Sequence, residues 1–172
     1  GAGRINKAMI NVIKHFNGSD GIRICLGAGS YYYDAIIKSF EEENFEPADN
    51  IIIHEFITNM AEYLAAADLD VSRSGALTVS ETTVIGRPAI FIPSPMVTGN
   101  HQYYNALAVC ESGGAVMIEE KDLEDEKLIE TITELRGDRV RLAEMAQASR
   151  SCGPDKATGI ICDTILEDYR NE

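Results

Sequence analysis

Two hydrophobic rhythms alternate along the chain. Ile5, Met9, Ile10, Val12, Ile13 and Phe16 recur at helical spacing and predict an amphipathic helix. The apolar run from Ile22 to Leu26 predicts a short strand, stopped by Gly27-Ala28-Gly29. Helical spacing returns from Tyr31 to Glu43 through Tyr32, Ala35, Ile36 and Phe40. Asn50 to Phe56, with Ile51, Ile52 and Ile53, then reads as a continuous apolar strand. The alternation goes on: helix 59–67, strand Leu69 to Ser72, and helix Thr78 to Ile85 stopped at Gly86-Arg87-Pro88. Next come a strand Ala89 to Ile92 ended by Pro93-Ser94-Pro95, a helix His101 to Glu111 closed by Gly113-Gly114, and a strand Ala115 to Ile118. After Lys121 the pattern is helical alone, over roughly 122–136, 138–150 and 156–170.

Apolar strands that alternate with helices predict an α/β fold, a Rossmann-like doubly wound parallel sheet covered by helices on both faces. In such a sheet ligands bind beyond the carboxyl ends of the strands, near the switch in strand order. The stretches that carry chemistry lie just after strands or at helix starts. No internal repeat or long linker divides the chain, and 172 residues at 45% hydrophobic suffice for one domain with a sizeable core.

Charge removes some partners. Fifteen basic against 28 acidic residues leave a net charge of −13, which repels phosphate backbones and anionic lipid, so no nucleic acid is expected. Backbone N–H groups at a helix start still allow a local anion site. The four cysteines, Cys25, Cys110, Cys152 and Cys162, form no CxxC pair and read as buried or incidental thiols of a reducing compartment. No apolar run reaches the ~18 residues of a membrane span, and a cytoplasmic location is expected.

The most informative stretch is Ser72-Arg73-Ser74-Gly75-Ala76-Leu77-Thr78-Val79-Ser80-Glu81, between a strand and a helix. A glycine there permits a tight turn, after which the free N–H groups of the first helical turn face a ligand. Thr78 adds a hydroxyl, and a carboxylate such as Glu81 is able to accept both hydroxyls of a ribose. That describes a site for a nucleoside diphosphate. Thr78-Val79-Ser80-Glu81 is also a capping box, which needs no ligand.

A second stretch, Asn100-His101-Gln102-Tyr103-Tyr104-Asn105-Ala106, gathers imidazole and amide groups at a helix start. His101 and Asn105 share a face, with Gln102 adjacent, and such groups suit a hydroxyl-rich ligand. Asn100 serves equally as an N-cap. After the Asn50–Phe56 strand, the backbone of Ile57 is placed to pair with the edge of a base. Gly1-Ala2-Gly3 opens the chain as a partial phosphate loop. Asp68-Leu69-Asp70 has the form of a metal-binding DxD, but Asp68 reads as a helix end and Asp70 as part of a strand, with no His/Cys cluster beside them. No metal and no cofactor are expected.

Taken in order, these segments resemble the family 28 glycosyltransferases of GT-B fold, and among them the MurG family of bacterial cell-wall enzymes. The matching residues are Gly1-Ala2 in GAxxxN, Phe56-Ile57, Met60-Ala61, Asp68, Ser72 through Glu81, Gly86-Arg87-Pro88-Ala89, Pro93, and His101-Gln102 with Asn105-Ala106. The specific part is the glutamate-ended loop followed about 20 residues later by HQxxNA.

The resemblance implies the carboxy-terminal, donor-binding domain of an inverting transferase that uses UDP-N-acetylglucosamine. It implies that Ile57 meets uracil through its backbone and that Glu81 takes the ribose hydroxyls. It assigns the diphosphate to Ala76, Leu77 and Thr78, counts Val79 and Ser80 among the substrate-binding residues, and gives Gly1 and Ala2 a partial phosphate loop. It sets His101, Gln102 and Asn105 against the N-acetylglucosamine. The remaining partners it implies are an amino-terminal acceptor domain of the same enzyme, carrying the catalytic base, and a lipid-linked acceptor. The whole enzyme is then peripheral on the cytoplasmic face of the bacterial membrane and makes lipid II for peptidoglycan, while residues 1–172 alone transfer nothing.

Two departures stand out. The serine and strand that precede Gly1 in the family pattern are missing, which leaves the middle of the sheet unpaired, and Asp70 stands where the pattern is apolar. Competing readings are a non-catalytic donor-binding subunit of a two-chain glycosyltransferase and a UDP-N-acetylglucosamine 2-epimerase domain. The epimerase needs more acid and base groups near the sugar than His101. A dehydrogenase lacks its full GxGxxG.

Overall fold

The computed structural model describes residues 3–153. In chain order the elements are α1 (Gly3–Phe16), β1 (Ile24–Gly27), α2 (Ser30–Glu42), β2 (Ile51–His54), α3 (Met60–Ala66), β3 (Asp70–Ser72) and α4 (Ala76–Ile85). They continue with β4 (Ala89–Phe91), α5 (His101–Glu111), β5 (Ala115–Met117), α6 (Asp125–Gly137) and α7 (Arg139–Cys152). Short 3-10 turns at Thr98–Asn100 and Glu120–Asp122 lie between β4 and α5 and between β5 and α6. The helix expected over 156–170 and the loop residues Gly1 and Ala2 lie outside the described residues.

All strand pairs are parallel. β1 pairs with β2, and β4 sits between β3 and β5. Among the described residues the strands therefore form two sheets, β1-β2 and β3-β4-β5. β4 explains its own unbroken hydrophobicity. Ile90 and Ile92 point into the main core while Ala89 and Phe91 point into a second cluster with Ala106, Val109 and Ala115, all buried. β1 departs from expectation, because it buries Ile24 and Leu26 while Cys25 and Gly27 are exposed. Only one of its faces is covered among the described residues.

The main core joins α1, α2, α6 and α7 to the strands through Val12, Ile13, Phe16, Ile36, Phe40, Leu128, Leu135 and Met145. Asn6, on the buried face of α1, donates to the Ala28 carbonyl at 2.8 Å and ties the start of α1 to the end of β1. Asp138 caps α7 by accepting from the Arg141 N–H at 2.9 Å. No helix among the described residues is long and apolar enough to cross a membrane. Cys25, Cys110 and Cys152 are free thiols, but Cys25 and Cys152 are exposed rather than buried. Burial pushes the Cys110 thiol up to about 11.

Candidate functional site

The β3–α4 connection decides between the two readings of the Thr78–Glu81 stretch. α4 begins at Ala76, with Gly75 at the N-cap and no side-chain cap. Thr78 is already helical, so Thr78-Val79-Ser80-Glu81 is no capping box. The first backbone bond of the helix runs from Val79 N–H to the Gly75 carbonyl at 2.9 Å. The N–H groups of Ala76, Leu77 and Thr78 are left to face outward at the positive end of the helix. Thr78 Oγ1 lies 3.9 Å from where a β-carbon on Gly75 would stand, so its hydroxyl faces the same end. Glu81 follows on the same helical side, exposed and without a hydrogen-bond or ion-pair partner among the described residues. Val79 turns toward the Phe91 cluster, and the Ser80 carbonyl accepts from Thr83.

Ser74 joins this connection to α5. It is fully buried, its hydroxyl donates to the Gln102 carbonyl at 2.7 Å, and its own carbonyl accepts from Asn105 Nδ2 at 3.1 Å. Gln102 Oε1 in turn accepts from the Ser94 N–H at 2.8 Å. Two of the three residues expected at the sugar thus also knit the site together, each keeping polar atoms for a ligand: Nε2 of Gln102 and Oδ1 of Asn105. His101 is exposed, and its Nδ1 lies 2.9 Å from the Thr98 carbonyl, fixing the ring at the helix start. Asn100 occupies the N-cap of α5 in the left-handed region (φ 51°) but makes no side-chain cap bond.

Arg73, given no role of its own by the sequence, binds the loops after three strands. It follows β3, donates to the Ile92 carbonyl after β4 at 3.0 Å, and pairs with Glu120 after β5. Both side chains are largely buried, with 17% and 18% exposed, and Arg73 Nε has no partner. Burying a charge requires such a pairing. Nothing in sequence spacing links residue 73 to residue 120. Beside this pair a cleft of about 300 Å³ opens between Arg4, Pro93, Pro95, Tyr103 and Lys121.

Ile57 lies beyond the end of β2, on the same side of the sheet, with its side chain against Gly27. Among the described residues neither its N–H nor its carbonyl enters a backbone hydrogen bond. Phe56, beside it, is 72% exposed. The two aspartates of the DxD-like stretch separate: Asp68 pairs with Arg139 at 3.0 Å, and Asp70 accepts from Ser72 and Thr82. Among the described residues no group of three metal-binding side chains gathers.

A model of the glycosyltransferase family 28 C-terminal domain matches residues 1–158. The chain belongs to this family. A relative from Acetivibrio thermocellus, a UDP-N-acetylglucosamine–N-acetylmuramyl-(pentapeptide) pyrophosphoryl-undecaprenol N-acetylglucosamine transferase, is 41% identical over 172 residues, 100% of this chain and 46% of the relative. The chain spans about half the length of the curated relatives it matches. The crystal structure of Acinetobacter baumannii MurG superposes with a TM-score of 0.78 and 28% identity, over 97% of this chain and 47% of that one. The UDP-GlcNAc 2-epimerase of Neisseria meningitidis superposes at 0.63 with 15% identity over 95% of this chain and 40% of that one, a likeness of fold alone.

Proposed function

We propose that this chain is the donor-binding half of an inverting hexosyltransferase that moves N-acetylglucosamine from UDP-N-acetylglucosamine to a lipid-linked N-acetylmuramyl-pentapeptide, in peptidoglycan synthesis. The observation that carries the proposal is the start of α4: three outward N–H groups, the Thr78 hydroxyl and the free carboxylate of Glu81, locked by Ser74 to the polar start of α5. The N–H groups and Thr78 hold the diphosphate, Glu81 accepts the ribose hydroxyls, and Ile57 pairs through its backbone with uracil. His101, Gln102 and Asn105 face the sugar. Gly1 and Ala2, outside the described residues, are read as a partial phosphate loop.

Chemically, the acceptor hydroxyl attacks the anomeric carbon from the face opposite the diphosphate. A carbon–oxygen bond to the acceptor forms as the bond to UDP breaks, and the hydroxyl proton passes to a base. Direct displacement inverts the configuration. The N–H groups at the start of α4 stabilise the negative charge that gathers on the departing diphosphate. The base and the acceptor site belong to an amino-terminal domain of the whole enzyme, which works at the cytoplasmic face of the bacterial membrane.

The test uses the whole protein that carries this chain, supplied with UDP-N-acetylglucosamine and a lipid-linked acceptor. Transfer of the sugar with release of UDP is expected. Conversion of the donor to its 2-epimer, or release of free sugar without acceptor, would overturn the proposal.

A further inference from the structure

We propose that Asp70 is a positioning residue for the donor site: by accepting hydrogen bonds from Ser72 and Thr82 it sets the rotation of α4 on the sheet, so that Thr78 and Glu81 face the ligand. The proposal rests on the donor-site reading above.

Most helices are fixed in rotation by the apolar stripe they bury. α4 has little of one. Its buried residues are Thr82 and Thr83, while Leu77 and Val84 turn outward at 81% and 50% exposure. Val79 alone leans on the Phe91 cluster. Each helical position is about 100° of rotation, so a slip by one residue would carry Glu81 to another side.

The two buried hydroxyls have different partners. Thr83 Oγ1 bonds back to the Val79 and Ser80 carbonyls of its own helix, at 2.8 and 3.2 Å. Thr82 Oγ1 reaches off the helix to Asp70 Oδ2 at 3.3 Å, and Ser72 Oγ donates to the same oxygen at 2.7 Å. Ser72 lies two residues along β3 from Asp70, on the same face, and holds the carboxylate toward α4. Thr82 directly follows Glu81. The other side-chain hydrogen bonds that hold α4 are at its ends, Ser74 before it and Arg150 of α7, which donates to the Ile85 carbonyl at 2.8 Å, while α7 packs alongside with Gly153 close against the Thr83 carbonyl. Between those ends the Asp70–Thr82 bond is the polar link to the sheet.

The experiment measures UDP and 2′-deoxy-UDP affinity, with melting temperature alongside, for the whole protein and for Asp70→Val, Asp70→Asn, Thr82→Val and Glu81→Ala. Asp70→Val is expected to weaken UDP about tenfold and to blunt the preference for the ribose form, since misplacement by about 1 Å is enough for such a loss. Asp70→Asn keeps an acceptor oxygen and should stay within about threefold of the parent. Thr82→Val should resemble Asp70→Val, and combining the two should add little further loss. Parent-like UDP affinity and ribose preference in Thr82→Val would overturn the positioning role, whether or not Asp70→Val folds. Glu81→Ala separates the two failures. If it loses ribose preference while the Asp70 and Thr82 variants do not, only the positioning role fails; if it too behaves as the parent, the donor-site reading fails first.

Discussion

Asn105 donates through Nδ2 to the backbone carbonyl of Ser74 at 3.1 Å, 31 residues away in sequence. A side chain suited to a sugar is thus also a strut between α5 and the turn that opens α4. Asn105→Ala removes both roles at once. It is expected to cost about 1 kcal/mol of stability for the lost bond to a buried carbonyl and to weaken UDP-N-acetylglucosamine more than UDP. Thermal melting and titration with the two ligands check this; equal losses for both ligands would leave Asn105 a strut alone.

The start of α4 offers a test that leaves the fold in place. Gly75 has φ −63° and ψ 152°, a conformation well suited to the residue before a proline, and Ala76 is the first helical residue. Ala76→Pro should therefore fold normally while deleting one N–H aimed at the diphosphate. A loss of about 1.5–3 kcal/mol in UDP affinity is expected, the scale of a hydrogen bond to a charged group. Uridine, which lacks the diphosphate, should bind as before. An equal loss for uridine would show a disturbed helix.

Base recognition through the Ile57 backbone separates side chain from main chain. Ile57→Ala should keep the preference for UDP over ADP, because the pairing atoms remain. Ile57→Pro deletes the N–H and should reduce that preference. Calorimetry with the two nucleotides decides; loss of the preference in Ile57→Ala would move the recognition to the side chain.

Asp70 predicts a pH dependence of stability. The residue as a whole is half-buried, but its carboxylate turns inward, and desolvation raises its pKa above the ordinary value. Hydrogen bonds from Ser72, Thr82 and the Val71 N–H partly offset that rise. The neighbouring charges are engaged elsewhere, Asp68 with Arg139 and Arg87 with the Ala65 carbonyl. A raised carboxyl pKa favours the folded state below the unfolded pKa of about 3.9, and that contribution is lost as pH rises through the folded value. At neutral pH the fold carries a shielded charge. Asp70→Asn should accordingly melt higher than the parent at pH 7, with the gap closing as pH falls toward about 4. A gap that widens on acidification would reverse the sign.

Element order is legible in sequence wherever a hydrophobic rhythm runs long enough. α1 buries the face that Ile5, Met9, Val12, Ile13 and Phe16 predict. Strand ends are less so: β2 stops at His54 although the predicted strand runs to Phe56, because the chain bends at Glu55. Periodicity misplaces the start of α4 by two residues, because Thr78 and Glu81 carry the letters of a capping box whichever residue caps the helix. Sequence hides contact at long separation. Ser74 with Gln102, Arg73 with Glu120 and Asp70 with Thr82 each join residues whose proximity comes from parallel strands laid side by side. Periodicity describes one element at a time and carries no information about such pairs.

Along one edge of β1 and one edge of β3 the backbone N–H and carbonyl groups have no partner strand among the described residues. Open edges of this kind are templates on which another polypeptide adds a strand, and natural proteins shield them. The edges of β2 and β5 are likewise unpaired among the described residues, and Cys25 and Gly27 of β1 are exposed. Self-association through added strands, growing with concentration, is the behaviour to anticipate in a preparation of residues 1–172 by themselves. Ligand measurements on it would then report a mixture of assemblies, whereas the whole protein keeps the binding stoichiometry interpretable.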